Sequence, residues 1–131
     1  TDNDAFFKIL EDSLKGGATI IQLREKNCDT YTFYKRALQS KTLCHSYKVP
    51  LIINDRIDVA LAVDADGVHI GQKDLPYSLT RKLVGINKII GLSVSDRAQA
   101  IEAEKLGADY IGISPIFKTS TKKSDLAAPL G

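Results

Sequence analysis

The stretch from residue 51 to residue 74, LIINDRIDVALAVDADGVHIGQKD, limits the folds open to this chain more than any other. Leu51, Ile52 and Ile53 form an apolar run after Pro50, and it stops at Asn54-Asp55. Gly67 to Ile70 is a second such run; it stops at Gly71, with Asp74 shortly after. Between them Ile57, Ala60, Leu61 and Val63 recur at near-helical intervals. Strand, short helix, strand is a crossover unit, and a crossover makes its two strands parallel neighbours. Parallel neighbours end on the same side, so the spacing predicts Asp55 and Asp74 on one rim of one sheet. That rim is where α/β proteins place their chemistry, and two carboxylates there could hold a hard cation.

The rest of the chain repeats the alternation. Residues 2–15 read as an amphipathic helix, with Asp2 and Asn3 as N-caps, Phe6, Ile9, Leu10 and Leu14 on one face and Gly16-Gly17 at its end. Ala18 to Leu23 reads as the first strand, and beyond it Gln22, Arg24 and Lys26 share a face by the period of two. An edge strand meeting water accounts for polar residues in general. It gives no reason to place Gln, Arg and Lys in step just where strand gives way to loop. Asp29 or Thr30 caps a second helix, with Phe33, Ala37, Cys44 and Tyr47 on one stripe and Lys35, Lys41 and Lys48 facing water. Pro76 stands at the first position of a helix over 77–84 that Gly85 closes. Lys88 to Val94 reads as a strand carrying Ser93 near its end. Asp96 then caps a helix with Ala98, Ile101, Ala103 and Leu106 on its buried side, Gly107 ends it, and Tyr110 to Ser114 is the last strand.

Strands thus begin near residues 18, 51, 67, 89 and 109, with a helix in every gap. The phrases KGGATIIQL, DADGVHIGQ and LGADYIGIS form a weak internal repeat, each setting Gly, Ala or Asp before an apolar strand. Strict β/α alternation leaves a doubly wound open sheet or a TIM (β/α)8 barrel. The phosphate fingerprints GxGxxG and GxxxxGK[ST] are absent. Polar residues at the ends of successive strands suit the barrel, where all those ends converge over one mouth. A chain of 131 residues is expected to form one domain with a real core. The net charge of +2 is too small to argue for nucleic acid or a membrane surface, and no apolar run approaches the length of a membrane span. With no signal-peptide pattern, a cytoplasmic protein is expected. Cys28 and Cys44 have no metal-ligand spacing and read as reduced thiols.

Residue type narrows the chemistry. Asp55 and Asp74 either cap the helices that follow or, with phosphate oxygens and waters, complete an octahedral Mg2+ site. Arg24, Lys26 and Lys122 supply positive charge suited to a pyrophosphate. Thr119, Ser120 and Thr121 place three hydroxyls before Lys122 and Lys123, either to wrap phosphate oxygens or as a solvated loop. His69 is expected to be buried and hydrogen-bonded, or else to line the barrel. His45 reads as a favourable charge at a helix C-terminus or as a surface residue.

IQLREK at 21–26, LIINDRIDVALAVDADGVHIGQKDLP at 51–76, IIGLSV at 89–94 and GADYIGISPIFKTSTKK at 107–123 together resemble the thiamine phosphate synthase family. The resemblance spans nearly the whole chain, with its motifs in order. It implies a TIM barrel that joins hydroxymethylpyrimidine pyrophosphate to a thiazole phosphate, releasing pyrophosphate. By position it implies that Gln22, Arg24, Lys26 and Asn54 bind the pyrimidine pyrophosphate and that Asp55 and Asp74 hold Mg2+. It places Ser93 by the bond being broken, Thr119, Ser120 and Thr121 at the thiazole phosphate, and Lys122 back at the pyrophosphate, making Arg24, Ser93 and Lys122 the catalytic groups. It also implies that about five of eight strands lie in this chain, most of the first strand and the last two βα units being absent. Homo-oligomerisation stays open. Two rivals remain: a paralogous barrel that isomerises the thiazole phosphate, and a non-catalytic phosphate-binding barrel fragment.

Overall fold

The structure is a computed structural model and describes residues 3–113. Helices and strands alternate throughout: α1 (Asn3–Lys15), β1 (Ile21–Leu23), α2 (Thr30–Ser46), β2 (Leu51–Asn54), α3 (Ile57–Val63), β3 (Gly67–Ile70), α4 (Tyr77–Val84), β4 (Ile89–Val94), α5 (Arg97–Leu106) and β5 (Tyr110–Ile113). The strands form one sheet in the order β1-β2-β3-β4-β5, the order of the chain itself. The residues gather into two compact units, one up to Val68 and the other from His69.

In the first unit β1 lies parallel to β2, with Ile21 opposite Leu51 and Leu23 opposite Ile53. Leu51, Ile52 and Ile53 are fully buried, as a strand covered on both faces should be. Phe33, Ala37 and Cys44 bring α2 into the same core, and Val59, Ala60 and Val63 bring α3. Burying each of the larger side chains contributes about 1.5–3 kcal/mol. Asp29 caps α2 by accepting a hydrogen bond from the Thr32 N–H at 2.7 Å.

Several expectations need correction here. The first strand starts at Ile21, not Ala18. The preceding residues close α1 instead: the Gly17 N–H bonds to Leu14 O at 3.2 Å and the Ala18 N–H to Ser13 O at 3.1 Å. Of the four apolar residues placed on one face of α1, Leu10 and Leu14 are buried but Ile9 is 66% exposed. Leu61 of α3 is likewise exposed, because the stripe that meets the core is Val59, Ala60 and Val63. Lys41 does not face water: its ammonium donates to Val63 O at 3.0 Å, neutralising the carbonyl end of α3.

In the second unit β4 and β5 are parallel, with Gly91 opposite Tyr110 and Ser93 opposite Gly112. Gly85 closes α4 and Gly107 closes α5, both at positive φ. Asp96 caps α5 through the Gln99 N–H at 2.8 Å. Pro76 sits at the N-cap of α4 rather than inside its first turn. The expected buried side of α5 also needs revision. Ala103 is the one buried residue of α5, while Ala98, Ile101 and Leu106 are exposed, so the helix meets the core along a narrower line than the apolar stripe implies.

The weak repeat has a structural basis, found once in each unit. Ala65 and Ala108 each return an N–H to the helix before them, at Ala60 O and Ala103 O. The next residue, Asp66 or Asp109, accepts an N–H from the start of the preceding strand, Leu51 (the first residue of β2) or Ile90 (the second of β4), at 2.8 Å in both cases. Each aspartate also meets a basic side chain from the helix before that strand, His45 of α2 at 2.8 Å and Arg81 of α4 at 2.9 Å. The aspartate therefore ties helix, strand and turn together. His45, read as a helix-end charge or a surface residue, is half of one such tie.

Candidate functional site

In the first unit the side chains of interest follow the carboxyl ends of β1 and β2. Exposure alternates from 22 to 26: Gln22, Arg24 and Lys26 are exposed, Leu23 is buried and Glu25 is half-buried. Glu25 turns inward to ion-pair with Arg36, itself only 7% exposed. Arg36 also donates to Asn3 Oδ1 at 2.6 Å and stacks over the Phe6 ring. Arg56 is paired with Asp58 at 2.8 Å. Arg24 is thus the one arginine of this unit that makes no ion pair among the described residues, and Lys26 likewise makes none. A guanidinium left without a carboxylate at a strand end is available to an anionic ligand.

Asn54 ends β2, and Asp55 follows it with φ at 67°. The left-handed region is uncommon for a residue with a side chain, and such residues cluster at functional sites. The Arg56 N–H bonds Asn54 O at 2.8 Å and the Ile57 N–H bonds Asp55 O at 3.1 Å, which hold the turn. The N-cap of α3 is Arg56, one residue beyond Asp55.

In the second unit three strands bring a polar chain together. His69 of β3 is 7% exposed. Its Nδ1 lies 3.0 Å from the Tyr110 hydroxyl and its Nε2 lies 2.7 Å from Ser93 Oγ. Burial holds the imidazole below its usual pKa, against the opposing pull of Asp74, and burial pushes the Tyr110 phenol up. Gln72 donates to Ser93 O at 2.9 Å, fixing the end of β4. Asp74 accepts the Gly71 N–H through Oδ2 at 2.6 Å, closing the turn after β3. It does not cap α4, whose N-cap is Pro76. A cavity of about 390 Å3 opens beside this turn, lined by Gly71, Gln72, Asp74, Leu92, Gln99 and Glu102 among others.

Two glycines make room for the rings. A Cβ on Gly91 would lie 2.1 Å from the Tyr110 ring, and one on Gly112 would lie 3.3 Å from His69 Cε1. Sequence reasoning placed Ser93 at this strand end and His69 in a hydrogen-bonded interior, but missed Tyr110 and Gln72. Glycine inside a strand marks close approach by a neighbour, so Gly91 and Gly112 were the available signal. Thr119, Ser120, Thr121 and Lys122 lie outside the described residues. Among the described residues no group of three or more His, Cys, Asp or Glu side chains could hold a metal, and no helix is long and apolar enough to cross a membrane.

Parallel strands in chain order, with a helix between each strand and the next, define an α/β protein of the kind that carries its chemistry at the carboxyl ends of its strands. The family profile described as thiamine monophosphate synthase matches residues 1–131, and the chain belongs to that family. It is 53% identical over 122 residues to a thiamine-phosphate synthase of Clostridium novyi (strain NT), covering 93% of this chain and 59% of the relative. It is 48% identical over 128 residues to a thiamine-phosphate synthase of Methanobrevibacter smithii, covering 98% of this chain and 61% of the relative. A solved thiamine phosphate pyrophosphorylase from Pyrococcus furiosus superposes with a TM-score of 0.80 at 43% identity, over 86% of this chain and 55% of that one. The chain therefore spans somewhat more than half the length of the relatives it matches.

Proposed function

We propose that the protein carrying this chain is a thiamine phosphate synthase, a transferase that joins hydroxymethylpyrimidine pyrophosphate to a thiazole phosphate and releases pyrophosphate. On this reading the fold is a TIM (β/α)8 barrel, five strands of which lie in this chain. The observation that carries the reading is Arg24, a guanidinium at a strand end with no ion pair among the described residues, beside an equally uncompensated Lys26. Gln22, Arg24, Lys26 and Asn54 then bind the pyrimidine pyrophosphate, and Thr119, Ser120 and Thr121 meet the thiazole phosphate.

Loss of pyrophosphate from a benzylic-type carbon gathers negative charge on the leaving group and positive charge on the pyrimidine methylene. Fixed cations aimed at the leaving oxygens lower that barrier, the role given to Arg24, Lys26 and Lys122. Ser93 stands by the breaking bond. No general base is required if the thiazole nitrogen attacks the cation directly. Asp55 and Asp74 each offer the hard carboxylate oxygens that a divalent cation takes, and one oxygen of Asp74 is not used in the turn after β3. Mg2+ held there would add further charge to the leaving-group side. The two carboxylates and the hydroxyl and lysine run of Thr119, Ser120, Thr121 and Lys122 also favour this reading over an isomerase, which needs an acid/base pair and no metal.

The test is a thiamine phosphate assay on the whole protein with both substrates and Mg2+. Turnover should fall by at least about a hundredfold on chelation and in Asp74→Ala, with the circular dichroism spectrum unchanged. Wild-type turnover in Asp74→Ala would remove the metal assignment; absence of product from the wild-type protein would overturn the function.

A further inference from the structure

We infer that Tyr110 and His69 are positioning residues that orient the Ser93 hydroxyl as a hydrogen-bond donor toward an anionic substrate oxygen. The inference deepens the function proposed above and rests on its placement of Ser93 beside the leaving group. The Tyr110 hydroxyl, His69 and Ser93 Oγ form one continuous chain, with contacts of 3.0 and 2.7 Å. A neutral imidazole donates from one nitrogen and accepts at the other, so the partner of Nδ1 decides what Nε2 does. Among the described residues His69 has no carboxylate in hydrogen-bond contact, and its burial favours the neutral ring.

Of the two hydroxyls the phenol is the stronger acid and therefore the better donor. With the Tyr110 O–H donating to Nδ1, the ring carries its proton on Nε2 and donates to Ser93 Oγ. Ser93 then accepts from the histidine and keeps its own proton to give elsewhere. Were the chain reversed, Ser93 would spend that proton on Nε2 and face the substrate as an acceptor, repelling a phosphate oxygen. The fold commits space to this arrangement. Gly91 and Gly112 leave the volume that the two rings occupy, and a Cβ on Gly91 would lie 2.1 Å from Tyr110 Cζ, too close for both to be accommodated. Gln72 holds the Ser93 carbonyl at 2.9 Å, so the hydroxyl is presented from a fixed backbone.

The experiment is 15N NMR of the whole protein labelled in histidine, combined with steady-state kinetics. A His69→Gln variant assigns the His69 signals by their loss. The wild-type His69 should show a protonated Nε2 and a bare Nδ1; a protonated Nδ1 would overturn the inference without any variant. Tyr110→Phe should move the proton toward Nδ1 and lower kcat about tenfold, the size of one hydrogen bond to a charged group, with KM for the pyrimidine pyrophosphate changed less than about twofold. His69→Gln, whose amide can still donate to Ser93, should retain most of the turnover, whereas His69→Leu should match Ser93→Ala. Unchanged tautomer and kcat in Tyr110→Phe would refute the positioning role. Should the wild-type protein lack synthase activity, the tautomer and its response to Tyr110→Phe still decide whether the chain orients Ser93, while the function itself fails separately.

Discussion

Arg24 shows how one side chain divides structure from function. Arg36 and Arg56 in the same unit each meet a carboxylate and have an evident structural task, whereas Arg24 meets none among the described residues. Replacing it should therefore cost binding rather than stability. Arg24→Lys keeps the charge but loses the planar fork that matches phosphate oxygens. KM for the pyrimidine pyrophosphate should rise about tenfold, with the melting temperature unchanged. Kinetics equal to wild type would make Arg24 a surface charge only. The in-step spacing of Gln22, Arg24 and Lys26 was visible in the sequence because strand periodicity is local. The inward turn of Glu25 was not, since it answers to Arg36, eleven residues away on α2.

Among the elements, the aspartate before β3 and its counterpart before β5 explain why a short phrase recurs. Each satisfies a buried N–H near the start of a strand, since Leu51 and Ile90 are both 0% exposed. In Asp109 burial raises the carboxyl pKa, but the Ile90 N–H and the Arg81 guanidinium outweigh it and hold the group below its usual value. Asp109→Ala should destabilise the protein by about 1–3 kcal/mol, because the Ile90 N–H loses its side-chain acceptor. Asp109→Asn keeps an acceptor and loses only a partly exposed ion pair, so it should cost about 1 kcal/mol or less. Urea unfolding of both variants checks this; equal losses would show that the charge, not the hydrogen bond, matters. Helix caps were readable because an Asp or Gly acts on residues three or four positions away. The exposure of Ile9, Leu61 and Ile101 was not, since which part of an apolar stripe meets the core depends on how the helix rolls against its neighbours.

For the molecule as a whole, titration sets the range of pH in which it is stable. His69 has a folded pKa below the ordinary 6.5, so the unfolded chain binds the proton first and stability falls as the pH drops below that value. Asp29, Asp58 and Asp109 are held below 3.8, adding stability above that pH that is lost as the pH falls through their folded values. On the alkaline side Cys44 is pushed from 9.0 to about 11 and Tyr110 above 10.0, both by burial. Their unfolded forms ionise first, so stability declines as the pH rises past those ordinary values. Unfolding free energy should therefore be highest between about pH 7 and 9. His69→Gln should flatten the change between about pH 7.5 and 5.5. An unaltered slope in that variant would show that His69 does not govern the acid limb.

The alternation of strands and helices, the caps, and the candidate strand-end residues Ser93, Asp55 and Asp74 all follow from interactions between residues close in sequence, and local chemistry was enough to read them. The Tyr110–His69–Ser93 chain joins three strands across twenty to forty residues, and no local pattern specifies which buried polar groups will meet. The same holds for Arg36 with Glu25 and for the aspartate ties. A buried polar group must find a partner, but only the packed arrangement of strands and helices determines which one, because desolvation penalises every alternative left unpaired.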